Sequence, residues 1–396
     1  MISILNQLQS MPIYRLSLGS KELFHSNFLE FLWDMDETRM MFFRIINCLL
    51  PAGQQLPTTG KDYSEYELSR EKENFDICVY HKEKKHLIYD LIIENKVKSI
   101  PSILQLNEYE AKIQKNKWNN PCPPRYLLLS LVDKFADKNE IGKKGIWSIA
   151  NYSQLKTAIE REQKCWNSAV GASYVSDYCK FIGLMHQLQS KILDNFEHTK
   201  LFKDVEEFRA CRLHDLYIKL RCCEFLMLLK DRLVQKGLPV SFIKEHANIR
   251  KNHIPQVYLN YNIFRGVGQA AAWLYTNTNN ATNGDIHEIV IQGNQYRHGI
   301  NSWKHKLNGD DKILSQQNIW NELNKDAFDA NFLNSPTMPQ KPTKSRTNPF
   351  NGYGPDYIYR YDVIKDETVE QLLDRMVPDI TTVYKHFVPN NGTTTN

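Results

Sequence analysis

The residue types best suited to catalysis stand at the end of one apolar run. The run is Leu87–Ile93, and it is followed by the carboxylate of Glu94 and the amine of Lys96. Because side chains alternate between the two faces of a strand, these two groups emerge on the same side, about 7 Å apart. A buried strand that brings a carboxylate and an ammonium to a sheet edge can hold a metal ion beside a scissile phosphate. The pattern therefore predicts phosphodiester chemistry at this edge.

The Glu-x-Lys spacing alone is weak evidence, because it recurs elsewhere in the chain. Three further copies are Glu83/Lys85, Glu110/Lys112 and Glu162/Lys164. Their flanks are polar or helical, so they are typical of a turn and of solvated helix faces. Only the copy at 94–96 follows a strongly apolar run, and exposed charges rarely end such a run. The alternative is a surface hairpin whose acidic and basic groups are solvated or paired with one another.

A second carboxylate, Asp76, precedes this strand in the chain. If a hairpin closes about residue 84, Asp76 comes to lie opposite residue 92, within one pair of Glu94. Two carboxylates then converge with the amine of Lys96 at one end of the sheet. Mg²⁺ is typically held by one or two carboxylates together with water and substrate phosphate oxygens. We therefore predict a Mg²⁺ site, with Mn²⁺ as the expected substitute.

Hydrophobic periodicity and turn residues predict the elements that carry these groups. The predicted helices are 20–35, 37–50, 102–117 and 152–163, and the predicted strands are 64–71, 74–81, 86–96, 126–131 and 146–149. The charged segment 134–144 is expected to be a loop. The order of these elements predicts a mixed α/β unit over residues 1–165.

The rest of the chain changes character. Helical periodicity over 170–235 predicts a helical connector, which we assign to residues 166–238. Beyond it the predicted strands are Val257–Ile263, Ala270–Tyr275, Ile286–Ile291 and Tyr357–Tyr361, the predicted helix is 367–386, the predicted loop is 331–356 and the predicted disordered tail is 389–396. We therefore expect a smaller α+β domain with antiparallel strands over residues 239–396.

Composition restricts the class of protein. The 396 residues carry a formal net charge of +5, which permits a polyanionic partner without requiring one. Eight cysteines without Cys-x-x-Cys spacing argue against a structural zinc site and favour free thiols in a reducing cytosol. The amino terminus lacks the features of a signal peptide, and no run approaches the roughly 18 apolar residues of a membrane span. We therefore expect a cytoplasmic protein without a membrane segment.

Three motifs together resemble a known family. They are Phe75-Asp76-Ile77, Ile92-Ile93-Glu94-Asn95-Lys96-Val97 and Gln105-Leu106-Asn107-Glu108-Tyr109. The combination is similar to the PD-(D/E)XK nuclease superfamily, and most similar to its prokaryotic branch with an Ile-Glu-Asn-Lys core motif. The segment Glu22–Leu29 also resembles the first helix of that branch. One departure is Phe75, which stands where the superfamily often has proline. The resemblance covers roughly residues 20–160.

The resemblance implies a role for each matching residue. Asp76 and Glu94 would bind the metal, Lys96 would be the catalytic lysine, and Gln105 would be a supporting polar residue of the site. Glu22, from the first helix, would join the metal ligands. The implied fold is a restriction-endonuclease-like α/β core, in which a mixed sheet is flanked by helices.

The implied activity is Mg²⁺-dependent hydrolysis of phosphodiester bonds, with DNA as the expected substrate. Lys98, Lys112 and Lys115 are candidates for binding phosphates. Defence against foreign DNA or DNA processing is the expected role, and a homodimer would supply the two sites that double-strand cleavage needs. Two alternatives stay open at this point. One is a catalytically silent nucleic-acid-binding or interaction module that keeps the fold, and the other is a hydrolase acting on RNA.

Overall fold

The computed structural model describes most of the chain. The described residues are 1–16, 22–34, 36–57, 65–83, 86–97, 101–115, 122–135, 137–163, 169–203, 205–243, 256–264, 266–276, 285–301, 351–352 and 357–387. The predicted tail at 389–396 and nearly all of the predicted loop at 331–356 lie outside these residues.

The chain divides into two compact units. The first consists of Met1–Asp194 with Asp204–Leu220, and the second of Asn195–Lys203 with Arg221–Asn396. The predicted division into a nuclease-like domain, a helical connector and an α+β domain stays a prediction.

The helices and strands are numbered here in chain order. The helices are α1 (Ile2–Ser10), α2 (Pro12–Leu16), α3 (Glu22–Asp34), α4 (Asp36–Leu49), α5 (Ile103–Lys115), α6 (Lys138–Lys144), α7 (Tyr152–Gln163), α8 (Ala169–Ile192), α9 (Val205–Ala210), α10 (His214–Gln235) and α11 (Val369–Phe387). The strands are β1 (Tyr66–Arg70), β2 (Ile77–Glu83), β3 (His86–Lys96), β4 (Arg125–Ser130), β5 (Trp147–Asn151), β6 (Val240–Phe242), β7 (Val257–Phe264), β8 (Val267–Thr276), β9 (Asp285–Gln292), β10 (Gln295–Asn301), β11 (Asn351–Gly352) and β12 (Tyr357–Val363).

The first unit is built on a five-stranded mixed sheet. The strand order is β1-β2-β3-β4-β5, with β1 to β3 antiparallel and β3 to β5 parallel. The central strand is β3, and its second half is buried on both faces. A strand covered on both faces needs apolar side chains on both, which explains the continuous apolar run. The predicted α/β core with a mixed sheet is confirmed.

Helices cover both faces of this sheet. On one face, Gln105 of α5 donates a hydrogen bond to Glu94 of β3 over 2.8 Å. On the other face, the side chain of Asn95 donates to Ser26 of α3 over 3.3 Å and accepts from Tyr152 of α7. Consecutive residues of β3 therefore contact helices on opposite sides of the sheet, as strand alternation requires.

The pairing of β2 with β3 differs from the prediction by a register shift. The predicted hairpin put Asp76 opposite residue 92, but the strands pair Ile77 with Ile93. The cause is a β-bulge at Asp90, which gives β3 one residue more than β2 over the same length. The aspartate that precedes β2 consequently lies level with the glutamate of the Glu-x-Lys pattern.

The prediction of a loop over 134–144 is wrong for residues 138–144, which form α6. This helix has seven residues and ends at Gly145, which adopts a left-handed conformation with φ of 65°. A helix of two turns shows too little hydrophobic periodicity to be recognised in the sequence. Its preceding residue, Asp137, also accepts a hydrogen bond from the first backbone N–H of α5, over 2.9 Å.

The second unit contains a seven-stranded sheet. The strand order is β11-β12-β10-β9-β8-β7-β6, and every described pair is antiparallel except β6 with β7. Helix α11 covers one face of this sheet, where Asp379 accepts hydrogen bonds from Tyr296 over 2.6 Å and interacts with His298 over 3.1 Å. Both residues belong to β10, a strand that the sequence did not predict.

No helix among the described residues combines the length and the apolar character that crossing a bilayer requires.

A buried histidine links three helices of the first unit. His25 of α3 stacks on Phe181 of α8 with ring centroids 5.5 Å apart, and its edge meets Tyr152 of α7. Its Nδ1 atom lies 3.0 Å from the hydroxyl of Tyr178. Desolvation lowers the pKa of His25 to about 3, against a smaller opposing attraction from Glu22. The ring is therefore neutral and part of the core.

This burial predicts a loss of stability in mild acid. Below pH 6.5 the unfolded chain gains a proton at His25, whereas the folded chain gains it only near pH 3. Stability is therefore fully present above pH 6.5 and is lost as the pH falls towards 3. Between pH 7 and pH 5 we expect the wild-type chain to lose about 2 kcal/mol more unfolding free energy than the His25→Phe variant. Urea unfolding at the two pH values, followed by circular dichroism, measures this difference.

The matched control is His86→Phe, which replaces an exposed histidine at the start of β3. It should leave the pH dependence of the wild-type chain unchanged. Equal losses in the wild type and in His25→Phe would contradict a neutral, buried ring at this position.

Candidate active site

Glu94 and Lys96 form a buried ion pair at the end of β3. The Nζ atom of Lys96 contacts the Oε1 atom of Glu94, whose side chain has no exposed surface. Gln105 donates to the same oxygen over 2.8 Å, and its Nε2 atom also lies 2.9 Å from the hydroxyl of Tyr109. The two residues of the Glu-x-Lys pattern therefore point together towards α5, as the spacing predicted.

Asp76 completes the group from the neighbouring strand. Its Oδ2 atom accepts a hydrogen bond of 2.7 Å from the backbone N–H of Asn95, between the glutamate and the lysine. The position immediately before β2 thus places the carboxylate beside the end of β3. Burial raises the pKa of Glu94 most, and repulsion from the nearby carboxylate of Asp76 raises it further.

Glu22 reaches the same edge from the first turn of α3. Its Oε1 atom accepts a hydrogen bond of 3.1 Å from the backbone N–H of Val97, directly after β3. Desolvation is the largest influence on the pKa values of Asp76 and Lys96, and the charge of Glu22 adds a smaller upward contribution to both. An acid near a helix amino terminus is favoured by the helix dipole, which is why this position suits a glutamate. The structure thus places Glu22 at the same edge of the sheet as the three core residues, next to the residue that follows β3.

The shifts of the pKa values reflect a shortage of positive charge. Desolvation raises the pKa of Glu94 to about 7, because the attraction of Lys96 offsets only part of the cost of burial. Desolvation also raises the pKa of Asp76, although the hydrogen bond from Asn95 opposes this. For Lys96, desolvation lowers the pKa, but attraction to Glu94 outweighs it and the net shift is upward. A further cation would stabilise the ionised carboxylates.

One oxygen of the site has no hydrogen-bond partner among the described residues. It is the Oε2 atom of Glu94, which is fully buried. An unsatisfied buried carboxylate oxygen is costly unless a cation or a water completes it. No three His, Cys, Asp or Glu side chains within the described ranges come together closely enough to hold a metal unaided. Asp76 and Glu94 could together hold a divalent ion that keeps several waters, as Mg²⁺ typically does.

A strained segment precedes Asp76. Glu71, Glu73 and Asn74 all have positive φ angles, of 56°, 54° and 67°, although none of them is glycine. Two side chains of α5 hold this segment: Tyr109 donates to the carbonyl of Asn74 over 2.8 Å, and Lys112 donates to the carbonyl of Glu73 over 3.0 Å. Non-glycine residues in this conformation cost of order 1 kcal/mol each and persist where their surroundings fix them.

The predicted phosphate-binding lysines have different surroundings. Lys98 lies outside the described residues. Lys112 contacts the strained segment, and its Nζ atom also lies over the ring of Tyr109, 5.6 Å from the centroid. Lys115 is exposed on the last turn of α5. The structure thus brings Lys112 to the wall of the site, whereas phosphate binding by Lys112 and Lys115 stays a prediction.

Asn95 has a structural role in the site that was not predicted from the sequence. This residue is fully buried, and its side chain donates to the backbone carbonyl of Glu22 and to Ser26, both over 3.3 Å. Its carbonyl oxygen accepts from Tyr152. Asn95 therefore fixes the start of α3 and the start of α7 to the strand that carries the acid and the lysine. A polar residue inside an apolar strand, between two candidate catalytic residues, was the signal available in the sequence.

Comparison with known families agrees with this geometry. The model of one family, the PD-(D/E)XK nuclease superfamily, matches residues 13–180. The resemblance predicted from the motifs is confirmed, and the PD-(D/E)XK segment includes Glu22, Asp76 and all of β3. No curated protein and no solved structure matches the chain.

The Asn95 contacts of the PD-(D/E)XK domain predict a stability effect. The Tyr152→Phe substitution keeps the buried ring but removes the hydroxyl that donates to Asn95. Because the amide oxygen is then buried without that donor, we expect the free energy of unfolding to fall by about 1–3 kcal/mol. Thermal unfolding followed by circular dichroism measures the change. The control, Tyr174→Phe, alters a tyrosine that is 63% exposed and should have no effect. An unchanged melting temperature in Tyr152→Phe would disprove the contribution of this hydrogen bond.

Proposed function

We propose that this protein is a Mg²⁺-dependent nuclease that hydrolyses phosphodiester bonds, with DNA as its substrate. The observation that carries the proposal is the buried ion pair of Glu94 with Lys96 beside the carboxylate of Asp76. These residues lie inside the segment that matches the PD-(D/E)XK nuclease superfamily. Burial of the Glu94–Lys96 ion pair has no evident structural benefit, because apolar residues of the same size would pack there at lower cost.

The acids of the site are suited to hold the metal. Asp76 and Glu94 would bind it, and Glu22 would join them from α3. When bound, Mg²⁺ supplies Lewis-acid chemistry, which polarises the phosphoryl group and neutralises charge on the leaving oxygen. The Oε2 atom of Glu94 provides a buried carboxylate oxygen that has no other partner among the described residues.

Lys96 and Gln105 would act on the substrate side of the same carboxylate. The ammonium of Lys96 would stabilise the negative charge that develops on the phosphoryl oxygens and would orient the attacking water by donating a hydrogen bond. Gln105 donates to the Oε1 atom of Glu94 and so fixes the orientation of that carboxylate. Gln105 is therefore a positioning residue in this proposal.

Removing any of the three core groups should abolish metal-dependent cleavage. We expect Asp76→Asn, Glu94→Gln and Lys96→Met to lower the rate of plasmid nicking at least about a hundredfold, because each removes a charge that acts on the reacting phosphate. The assay is plasmid and single-stranded DNA incubated with Mg²⁺, Mn²⁺ or EDTA and resolved on a gel. Circular dichroism verifies that each variant is folded.

A second ion pair of the same type provides the matched control. Lys156 and Glu160 pair on the surface of α7 over 2.7 Å. Lys156→Met and Glu160→Gln should keep full cleavage. Retention of full activity by a folded Glu94→Gln or Lys96→Met variant would remove the catalytic assignment. Nucleic-acid binding without cleavage under all metal conditions would instead favour a silent binding module, and cleavage of RNA alone would change the substrate.

Metal binding should be measurable without any substrate. A ligand that binds only the folded chain raises its melting temperature. We therefore expect Mn²⁺ to raise the melting temperature of the wild-type chain and to have no effect on the Glu94→Gln variant. Electron paramagnetic resonance of Mn²⁺ measures the fraction of bound ion directly. Equal Mn²⁺ binding by both proteins would exclude Glu94 as a ligand.

The cellular context stays a prediction. Defence against foreign DNA or DNA processing, in the cytoplasm, follows from the family resemblance alone. A homodimer would provide two sites for cutting both strands. Sedimentation velocity at several protein concentrations measures the oligomeric state.

A further inference from the structure

A pocket of the first unit lies between the first two helices and the turn that joins α9 to α10. Its volume is about 360 Å³, near the lower end of the range for small-molecule sites, which is roughly 300–1,000 Å³. The residues that line it are Gln9, Tyr14, Arg15, Ala210, Cys211 and Arg212. Two of these six residues are arginines, and none of them is an acid. We call this cavity the arginine pocket.

Arg212 occupies a position of the turn that glycine usually fills. Its backbone N–H donates to the carbonyl of Arg209 over 2.9 Å. The N–H of the next residue, Leu213, donates to the carbonyl of Phe208 over 2.8 Å. These two bonds form a helix-ending motif whose left-handed residue is most often glycine, and Arg212 accordingly has a φ of 57°. The chain therefore carries an arginine here at a cost in stability, which a function of the guanidinium group would explain.

Neither arginine of the pocket has an acidic partner in the part of the chain that the structure describes. Arg15 donates through Nε to the backbone carbonyl of Gln9 over 2.8 Å, which leaves its two Nη groups directed to no described residue. Arg212 is exposed, and its side chain makes no ion pair with a described acid. By contrast, Arg70 of the same unit pairs with Glu30. Two cations beside one cavity repel each other, and an anion bound between them would remove that cost.

The walls of the arginine pocket are held together by Tyr14. Its hydroxyl donates to the backbone carbonyl of Cys211, and its ring meets Phe181 of α8 edge-on at a centroid distance of 5.9 Å. Desolvation raises the pKa of Tyr14, and the charge of Arg212 opposes this shift, so the guanidinium group lies within electrostatic reach of the hydroxyl. Burial raises the pKa of the Cys211 thiol, which makes it a poor nucleophile. The pocket is therefore suited to binding a ligand without reacting with it.

We propose that the arginine pocket binds a small phosphate monoester, such as a nucleoside monophosphate or a sugar phosphate. A guanidinium group contacts phosphate oxygens through two parallel N–H donors, and two such groups match the double negative charge of a monoester. The amide of Gln9 lines the same pocket and can donate to a hydroxyl group of the ligand. The pocket shares no residue with the candidate active site, so the proposal goes beyond the nuclease function.

The test is ligand binding by the full chain in EDTA, where no metal at the acids of β3 contributes. Isothermal titration calorimetry and thermal unfolding compare adenosine monophosphate, ribose 5-phosphate, inorganic phosphate and adenosine. We expect the two monoesters to bind and to raise the melting temperature, and adenosine to have no effect. Arg15→Gln and Arg212→Gln should each raise the Kd of the monoesters at least about tenfold, because each removes hydrogen bonds to a charged phosphate.

The Arg212→Gly variant separates ligand binding from a structural role of the side chain. Glycine adopts a φ of 57° without strain, so the unliganded variant should melt at a higher temperature than the wild type. The same variant should lose the rise in melting temperature that the monoesters cause. The matched control is Arg209→Gln, which changes an exposed arginine of the same turn that pairs with Glu206 over 3.6 Å. This control should bind the monoesters as the wild type does.

Three results would overturn the proposal. The first is failure of both monoesters to bind the wild type, and the second is unchanged affinity in the folded Arg15→Gln and Arg212→Gln variants. The third is binding of adenosine or of inorganic phosphate with no preference for a monoester. Binding of one monoester and not the other supports the proposal and identifies the organic group that the pocket accepts. None of these results depends on whether the chain cleaves nucleic acid.

Discussion

The first unit depends on one electrostatic constraint, the burial of a carboxylate beside a single cation. Glu94 has no exposed surface, and the ammonium of Lys96, the amide of Gln105 and the hydroxyl of Tyr109 all interact with its carboxylate. Taking such a pair out of water costs several kcal/mol, and removal of one partner leaves an uncompensated buried charge. The sheet edge must therefore hold these groups in place while one carboxylate oxygen has no hydrogen-bond partner within the described part of the chain. A fold built for stability alone would have filled this position with an apolar residue.

The central strand β3 connects this ion pair to the helices on both faces of the sheet. Glu94 and Lys96 face α5, whereas Asn95 between them faces α3 and α7. The backbone N–H of the same asparagine holds Asp76, so a single residue connects the acid of the neighbouring strand with two helices on the far side. Displacement of either helical layer would therefore alter the positions of the acids. The strained segment before Asp76 adds a further restraint from α5, since Tyr109 fixes it through a backbone carbonyl.

Much of the site was predictable from the sequence because its signals are local. Alternation along a strand places residues 94 and 96 on one side, and an apolar run identifies the strand as central. The strained segment carried no such signal, because Glu73 gives no indication of a left-handed backbone. The position of β10 was also missed, since its polar residues, such as Gln295 and Arg297, do not alternate with strongly apolar ones. Its position in the sheet depends on pairing with β9 and β12, and the sequence of β10 by itself does not show that pairing.

The bulge at Asp90 determines whether the two acids share a face. The first pair of the ladder between β2 and β3 joins Glu83 to His86. Continued without interruption, that ladder would have set Asp76 against Ile93 and turned the two carboxylates towards opposite helical layers. The extra residue in β3 shifts the pairing by one position, so that the side chains of both acids point to the same side of the sheet. The convergence of the two acids at one edge of the sheet consequently depends on Asp90, the extra residue of β3 that the β2 ladder does not pair.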